Sequence, residues 1–302
     1  MTPAPVVVGV DRTGSAAGAV DWAAAEAASR GCRLRIVHAF TPLVLPDPHG
    51  VTSPMDGLRA ARAAGEAVLL LHATRARSVA SELEITTRLR CTSPMQALLD
   101  EAAHAQLLVL GSRDLRGLRA LLTRSVSAQV SAHATCPVVV VRPARAEAGP
   151  GTPPRVVVGV DGTAAGGRAL GFAFQAARQR GVPLTVVHAW APDPPADLEG
   201  VHGPQAMGEA NARRRLERAL HPWHARYPDV AVVTRLVRDD PARAVAAESR
   251  GAALVVVGCR GRQRLPVAVR GSVSRSVLRL GRCPTAVVHG TEPQLPELRR
   301  ER

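Results

Sequence analysis

The chain repeats itself once, and that duplication restricts its fold more than any other feature. Val6-Val7-Val8-Gly9-Val10-Asp11 returns as Val156-Val157-Val158-Gly159-Val160-Asp161, at an offset of 150 residues. Val37-His38-Ala39 returns as Val187-His188-Ala189 at the same offset. Leu110-Gly111 matches Val257-Gly258, Ser125-Val126-Ser127 matches Ser272-Val273-Ser274, and Cys136-Pro137 matches Cys283-Pro284, all at 147. A net difference of three residues therefore lies in the middle of the repeated unit. A period this long means duplicated domains rather than a solenoid. A chain of 302 residues suits two domains of about 150 residues each. The expected boundaries are a first domain over 1–143, a linker over 144–154, a second domain over 155–290 and a polar tail over 291–302. The stretch from Pro143 to Pro154 is rich in Pro, Ala and Gly, as linkers are.

Each copy alternates strand and helix. Short runs of β-branched residues predict buried parallel strands at Pro5–Val10, Leu34–Ala39, Leu83–Leu89, Leu107–Leu110 and Val138–Val141. Their counterparts are Arg155–Val160, Leu184–Ala189, Val230–Val237, Leu254–Val257 and Thr285–Val288. Alanine-rich stretches between them predict helices, such as Ser15–Arg30 and Ala164–Arg180, each followed by a glycine suited to a helix C-cap. Ser93-Pro94 and Asp240-Pro241 supply an N-cap followed by proline in the first turn. The expected fold class is α/β: two tandem, doubly wound, Rossmann-like domains, each with a five-stranded parallel sheet covered by helices on both faces. Such sheets bind ligands at the carboxyl ends of their strands, where the strand order switches.

Composition narrows the function classes. No apolar run reaches the roughly 18 residues a membrane helix needs, and no signal peptide precedes Val6. The expectation is a cytoplasmic protein without membrane contact. The five cysteines form no CxxC pair, so no zinc site is expected, and Cys136 and Cys283 are read as buried small hydrophobes. The net charge is +14, carried entirely by arginine among Lys and Arg. That charge favours anionic ligands. Nucleic acid is not the expected partner, because no basic run with interleaved aromatics accompanies it. A binder of nucleic acid or of an acidic protein remains an alternative, and its binding should weaken steeply with salt.

The chemistry concentrates after the fourth strand of the second copy. Gly258-Cys259-Arg260-Gly261 follows the strand, nine residues intervene, and Gly271-Ser272-Val273-Ser274 opens a helix. Glycines let backbone approach a phosphate without a Cβ in the way. Free amides and the dipole at a helix start attract an anion. Ser272 and Ser274 offer hydroxyls or cap the helix, while Arg260, Arg262, Arg264 and Arg270 supply charge. There is no Walker lysine and no GxGxxG turn after strand one.

The spacing Gly-x2-Gly-x9-Gly-Ser, with VVVGVD at the domain start, VHA in strand two and Cys-Pro before strand five, resembles the universal stress protein family. The resemblance covers both copies. It implies strand order 3-2-1-4-5, a regulatory role in stress response, and ATP held by this loop, which a magnesium ion can accompany. Carried over residue by residue, Gly258, Gly261, Gly271 and Ser272 hold the phosphates, with Arg260, Arg264, Val273 and Ser274 close by. Gly159 and Asp161 lie near the adenosine, and the backbone from Val187 to Ala189 meets the adenine. The resemblance also implies an unidentified regulatory protein partner, an intramolecular pseudo-dimer through the last strands, and a homodimer. For Asp161 an Asx turn closing the following loop is the alternative role.

The first copy keeps Gly9, Asp11, Gly111, Ser125 and Ser127, but Asp114 and Arg124 stand where the second and third loop glycines should be. A carboxylate beside phosphate oxygens is repelled, so ATP binding is expected mainly in the second copy. No catalytic residue is expected. His38 and His188 lack a nucleophile or second acid beside them in the sequence, and any hydrolysis or nucleotidyl transfer would be slow and incidental. Asp239-Asp240 is read as an N-cap rather than a metal site. The proline-rich loops Thr41–Asp56 and Ala191–Gln205 follow strand two in each copy and suit either a lid or simple insertion tolerance.

Overall fold

A computed structural model of the chain describes residues 3–41, 54–112, 125–142, 153–162, 164–190, 204–259 and 272–289. Two compact units divide near residue 146, except that Arg282–Ala286 groups with the first. In the first, strand β1 (Val6–Val10) leads to helix α1 (Ser15–Ser29), then β2 (Leu34–Phe40), α2 (Pro54–Val79), β3 (Ile85–Cys91), α3 (Pro94–Ala102), β4 (Leu107–Gly111), α4 (Val126–His133) and β5 (Val138–Val141). The second repeats the plan. It runs β6 (Val156–Gly159), α5 (Ala164–Arg180), β7 (Leu184–Ala189), α6 (Pro204–Arg226), β8 (Val232–Val237), α7 (Pro241–Glu248), β9 (Leu254–Gly258), α8 (Ser272–Leu280) and β10 (Thr285–Val288).

The first unit orders its strands β3-β2-β1-β4-β5 and the second orders them β8-β7-β6-β9-β10. Both match the expected 3-2-1-4-5. Val6 pairs in parallel with Leu34 on one side and Leu107 on the other, and Val156 pairs with Leu184 and Leu254 in the same way. The central strands are apolar on both faces because helices cover both. Helices α1 and α2 pack together on one face of the first sheet, and α3 and α4 on the other; α5 with α6 and α7 with α8 repeat this. The edge strands are the exception. Strand β3 begins two residues later than its sequence predicts, and none of its positions is fully buried, because an edge strand carries solvent on one side. Strand β8 likewise begins at Val232, two residues after the expected Val230.

Local chemistry explains most ends. Gly31 and Gly181 follow α1 and α5 with φ of 59° and 61°, the left-handed conformation that ends a helix. Ser93 accepts from the Gln96 amide at 3.3 Å, and Asp240 accepts from the amides of Ala242 and Arg243 at 3.1 and 3.0 Å. The three-residue difference between the copies is a helix difference: α2 spans 26 residues and α6 spans 23. The two helices start 150 residues apart and end 147 apart. The loops after β2 and β7 are shorter than the sequence suggested, because Asp56 and Gln205 already belong to α2 and α6.

The copies brace their first two helices differently. In the first, Arg75 of α2 reaches Asp21 of α1 through two bonds of 2.7 and 2.6 Å. In the second, Gly171 stands at the position of Asp21. A Cβ there would lie 2.5 Å from the Trp223 ring, so the indole fills the space instead. Phe174, fully buried, forms a three-ring cluster with Trp223 and Tyr227, at centroid distances of 6.1 and 5.6 Å from them, and those two rings lie 6.3 Å apart.

Candidate nucleotide site at the strand ends

The switch point of each sheet lies between its first and fourth strands, β1 and β4 or β6 and β9. Beyond β6 stand Val160, Asp161 and Gly162, and Asp161 is exposed. Gly162 has φ of 75°, a conformation that favours glycine. Asp161 then approaches the first turn of α5: a Cβ on Gly166 would lie 3.0 Å from Asp161 Oδ1. The side chain of Val187 is 1% exposed, and its carbonyl accepts from the Val160 amide at 3.0 Å. Beyond it, His188 and Ala189 are half-buried.

Strand β9 ends at Gly258, and the Cys259 amide donates to the Val288 carbonyl at 2.9 Å. Helix α8 begins at Ser272, as the glycine pattern predicts. Ser274, 6% exposed, turns its hydroxyl to the Cys259 thiol. Burial pushes that thiol up and the Ser274 hydrogen bond pulls it down. The contact pins the first turn of α8 beside the end of β9. Val273 is half-buried on the same turn. Arg260, Gly261, Arg264 and Gly271 lie outside the described residues, as do Asp114 and Arg124 of the first copy.

The equivalent end of the first unit is built from the same parts. Asp11 accepts from the Thr13 amide at 2.9 Å and from the Thr13 hydroxyl, and Thr13 is 2.8 Å from the Ser15 hydroxyl. This is the Asx turn that the sequence offered as the alternative role for the second-copy aspartate. Ser125 caps α4 by accepting from the Ala128 amide at 3.2 Å, which leaves it a structural task of its own. Gly111 is tight against α1: a Cβ there would stand 2.9 Å from the Ser15 carbonyl carbon and closer still to its oxygen.

The glycines of the two VVVGVD segments lie under helices. A Cβ on Gly9 would meet Leu98 of α3 at 2.7 Å, and one on Gly159 would meet Val245 of α7 at 2.7 Å. Both therefore let a helix settle on the sheet. The repeated histidines also have a packing explanation. His38 Nδ1 donates to the Val10 carbonyl at 2.8 Å, and His188 Nδ1 donates to the Val160 carbonyl at 2.9 Å. Each ties the second strand to the end of the first, where the ladder stops.

Sequence reasoning passed over His72 of α2, which is 5% exposed and has Nε2 3.4 Å from the Asp11 carbonyl. The available signal was a polar residue on the stripe Leu69, His72, Ala73, Ala76, all buried.

The model of the Universal stress protein family matches residues 4–142 and again 153–289. Universal stress protein Rv2005c of Mycobacterium tuberculosis is 36% identical over 293 residues, covering 93% of this chain and 96% of that protein. Universal stress protein Rv2623 of the same organism is 33% identical over 290 residues, covering 93% and 95%. The crystal structure of a universal stress protein from Archaeoglobus fulgidus superimposes with a TM-score of 0.69 at 18% identity, covering 94% of this chain and 95% of that one.

Proposed function

The chain belongs to the universal stress protein family as a tandem of two such domains, and on that premise we propose that it is a regulatory stress-response protein that binds ATP chiefly in its second domain. The observation that carries this reading is the contrast between the copies at one point of the fold. After β9 the sequence supplies Gly258, Gly261, Gly271 and Ser272, whereas after β4 it supplies Gly111, Asp114, Arg124 and Ser125. Glycines leave room for phosphate oxygens, and the amides opening α8 present partial positive charge to them. Arg260 and Arg264 add full charge. An aspartate in the first copy opposes the same anion.

Several features of the second domain fit an adenine nucleotide. Asp161 is exposed at the strand ends, where a carboxylate accepts from ribose or adenine donors. Backbone beyond Val187 is the expected adenine contact, with Gly159 beneath it. A magnesium ion can accompany the phosphates. Nucleotide occupancy would bias the conformation that a regulatory partner or a second chain recognises.

The test is to denature the purified protein, identify the released ligand by mass spectrometry and titrate ATP into stripped protein by calorimetry. Adenine nucleotide at about one per chain, with affinity lowered at least about tenfold by Gly261→Asp, is the expected result. No released nucleotide and no heat with ATP, ADP or AMP would overturn the reading.

A further inference from the structure

His72 is the most unusual polar residue of the first unit. Its helix α2 packs on α1, β1, β2 and β3, and the imidazole lies inside that packing, 5% exposed. Nε2 faces the carbonyl of Asp11 at 3.4 Å, so this nitrogen carries the proton and donates. Nδ1 is buried with no hydrogen-bond partner among the described residues. A neutral imidazole tolerates this arrangement, because a bare lone pair is the only group left unsatisfied. An imidazolium does not. It would bury a charge and a second N–H donor with nothing to accept it.

The surroundings decide the sign. Among the described residues, the charged and titratable groups that reach His72 are Asp11 beyond β1, His38 of β2 and Arg75 on its own helix. Arg75 in turn is held by Asp21 of α1, and β3 contributes Leu89 against Gly65 on this side of α2. Burial opposes the charged imidazole most strongly; Arg75 and His38 add to it, and Asp11 works the other way. The balance holds His72 below the ordinary histidine range.

The second unit provides a control. Leu69, Ala73 and Ala76 of α2 correspond to Leu216, Leu220 and Trp223 of α6, and the residue in the place of His72 is Ala219. His188 keeps the bond that His38 makes, with alanine in place of the second imidazole. The titratable pair is thus peculiar to the first unit.

The geometry points to an acid-sensitive latch in the first unit: neutral His72 docks α2 against the β1–α1 loop, and its protonation releases that loop. The loop is the one that Asp11, Thr13 and Ser15 bridge, so release loosens the carboxyl end of the first sheet, while the second unit, with Ala219 in place of His72, lacks the titrating group. A group with a depressed folded pKa favours the docked state fully above its unfolded value, about 6.5, and loses that contribution as pH falls below it. One proton taken up on release means up to about a tenfold shift in the docking equilibrium per pH unit in that range.

Hydrogen exchange of the full chain tests this, at pH 7.5 and 5.5 with intrinsic rates corrected. The expected result is loss of protection, approaching tenfold, over residues 11–16 and 69–79, and markedly less over 161–166 and 212–226. In His72→Ala and His72→Gln the acid-dependent part disappears. Equal acid sensitivity in wild type and both variants, or in both units of the wild type, overturns the latch. Should neither variant fold, the His72 ring resonance in the wild-type protein decides. A titration midpoint below the ordinary histidine value upholds the latch, and one at or above it overturns it.

Discussion

Gly111 at the end of β4 lies against the backbone of Ser15 so closely that a Cβ would stand 2.9 Å from the Ser15 carbonyl carbon. A glycine that looks like the first member of a phosphate loop is therefore also the seat of α1. The obstruction is backbone, which cannot swing aside as a side chain can. Gly111→Ala should destabilise the first unit by about 1–3 kcal/mol through overpacking. Chemical denaturation would show it, and ATP affinity in the second domain should be unchanged. Equal stability of variant and wild type would mean that α1 shifts freely.

Gly261→Asp copies into the second domain what Asp114 is in the first. Affinity for ATP should fall at least tenfold, which is about 1.4 kcal/mol, with circular dichroism and melting behaviour retained. Unchanged affinity removes the phosphate-loop assignment. The reverse change, Asp114→Gly with Arg124→Gly, should raise the number of ATP molecules bound per chain.

The cysteines should separate by reactivity. Cys91 is exposed, whereas Cys32, Cys136, Cys259 and Cys283 are buried. Burial pushes the Cys136 thiol up to about 12. At pH 8 it is therefore protonated and a poor nucleophile as well as shielded. Timed alkylation with peptide mapping should label Cys91 first and Cys136 only on unfolding. Early labelling of Cys136 in the native protein would contradict its placement.

The two ways of bracing the first helix pair should differ in cost. Asp21 and Arg75 are partly exposed, with side chains 38% and 45% accessible. Asp21→Ala should therefore cost no more than about 1 kcal/mol. Phe174→Ala removes a fully buried ring from the aromatic stack and should cost about 3–5 kcal/mol. Denaturant titrations of both variants compare them, and a larger loss for Asp21→Ala would reverse the ranking.

Asp240 accepts from two amides at the start of α7. Asp240→Ala should cost about 1 kcal/mol, whereas Asp239→Ala, one residue outside the helix, should cost less. The same denaturant titrations distinguish capping from an acidic ligand site, since a metal-site role would make both variants sensitive to added divalent ions.

Much of the fold is legible in the chain because its determinants are local or periodic. The repeat fixes two domains. Runs such as Val138–Val141 mark strands buried on both faces, and Gly31, Gly181, Ser93 and Asp240 mark helix ends through their own backbone or side-chain chemistry. The glycine pattern after β9 likewise locates the start of α8. What each glycine or histidine does was decided by tertiary structure. Gly9 and Gly159 sit where Leu98 and Val245 descend on the sheet, and Gly111 sits where Ser15 arrives. Asp11 turns to Thr13, and His72 meets Asp11 from a helix some sixty residues away in sequence. These are contacts between segments brought together by packing. A local pattern records that a small or polar residue stands at a position; only the folded neighbour supplies the atom that makes it necessary.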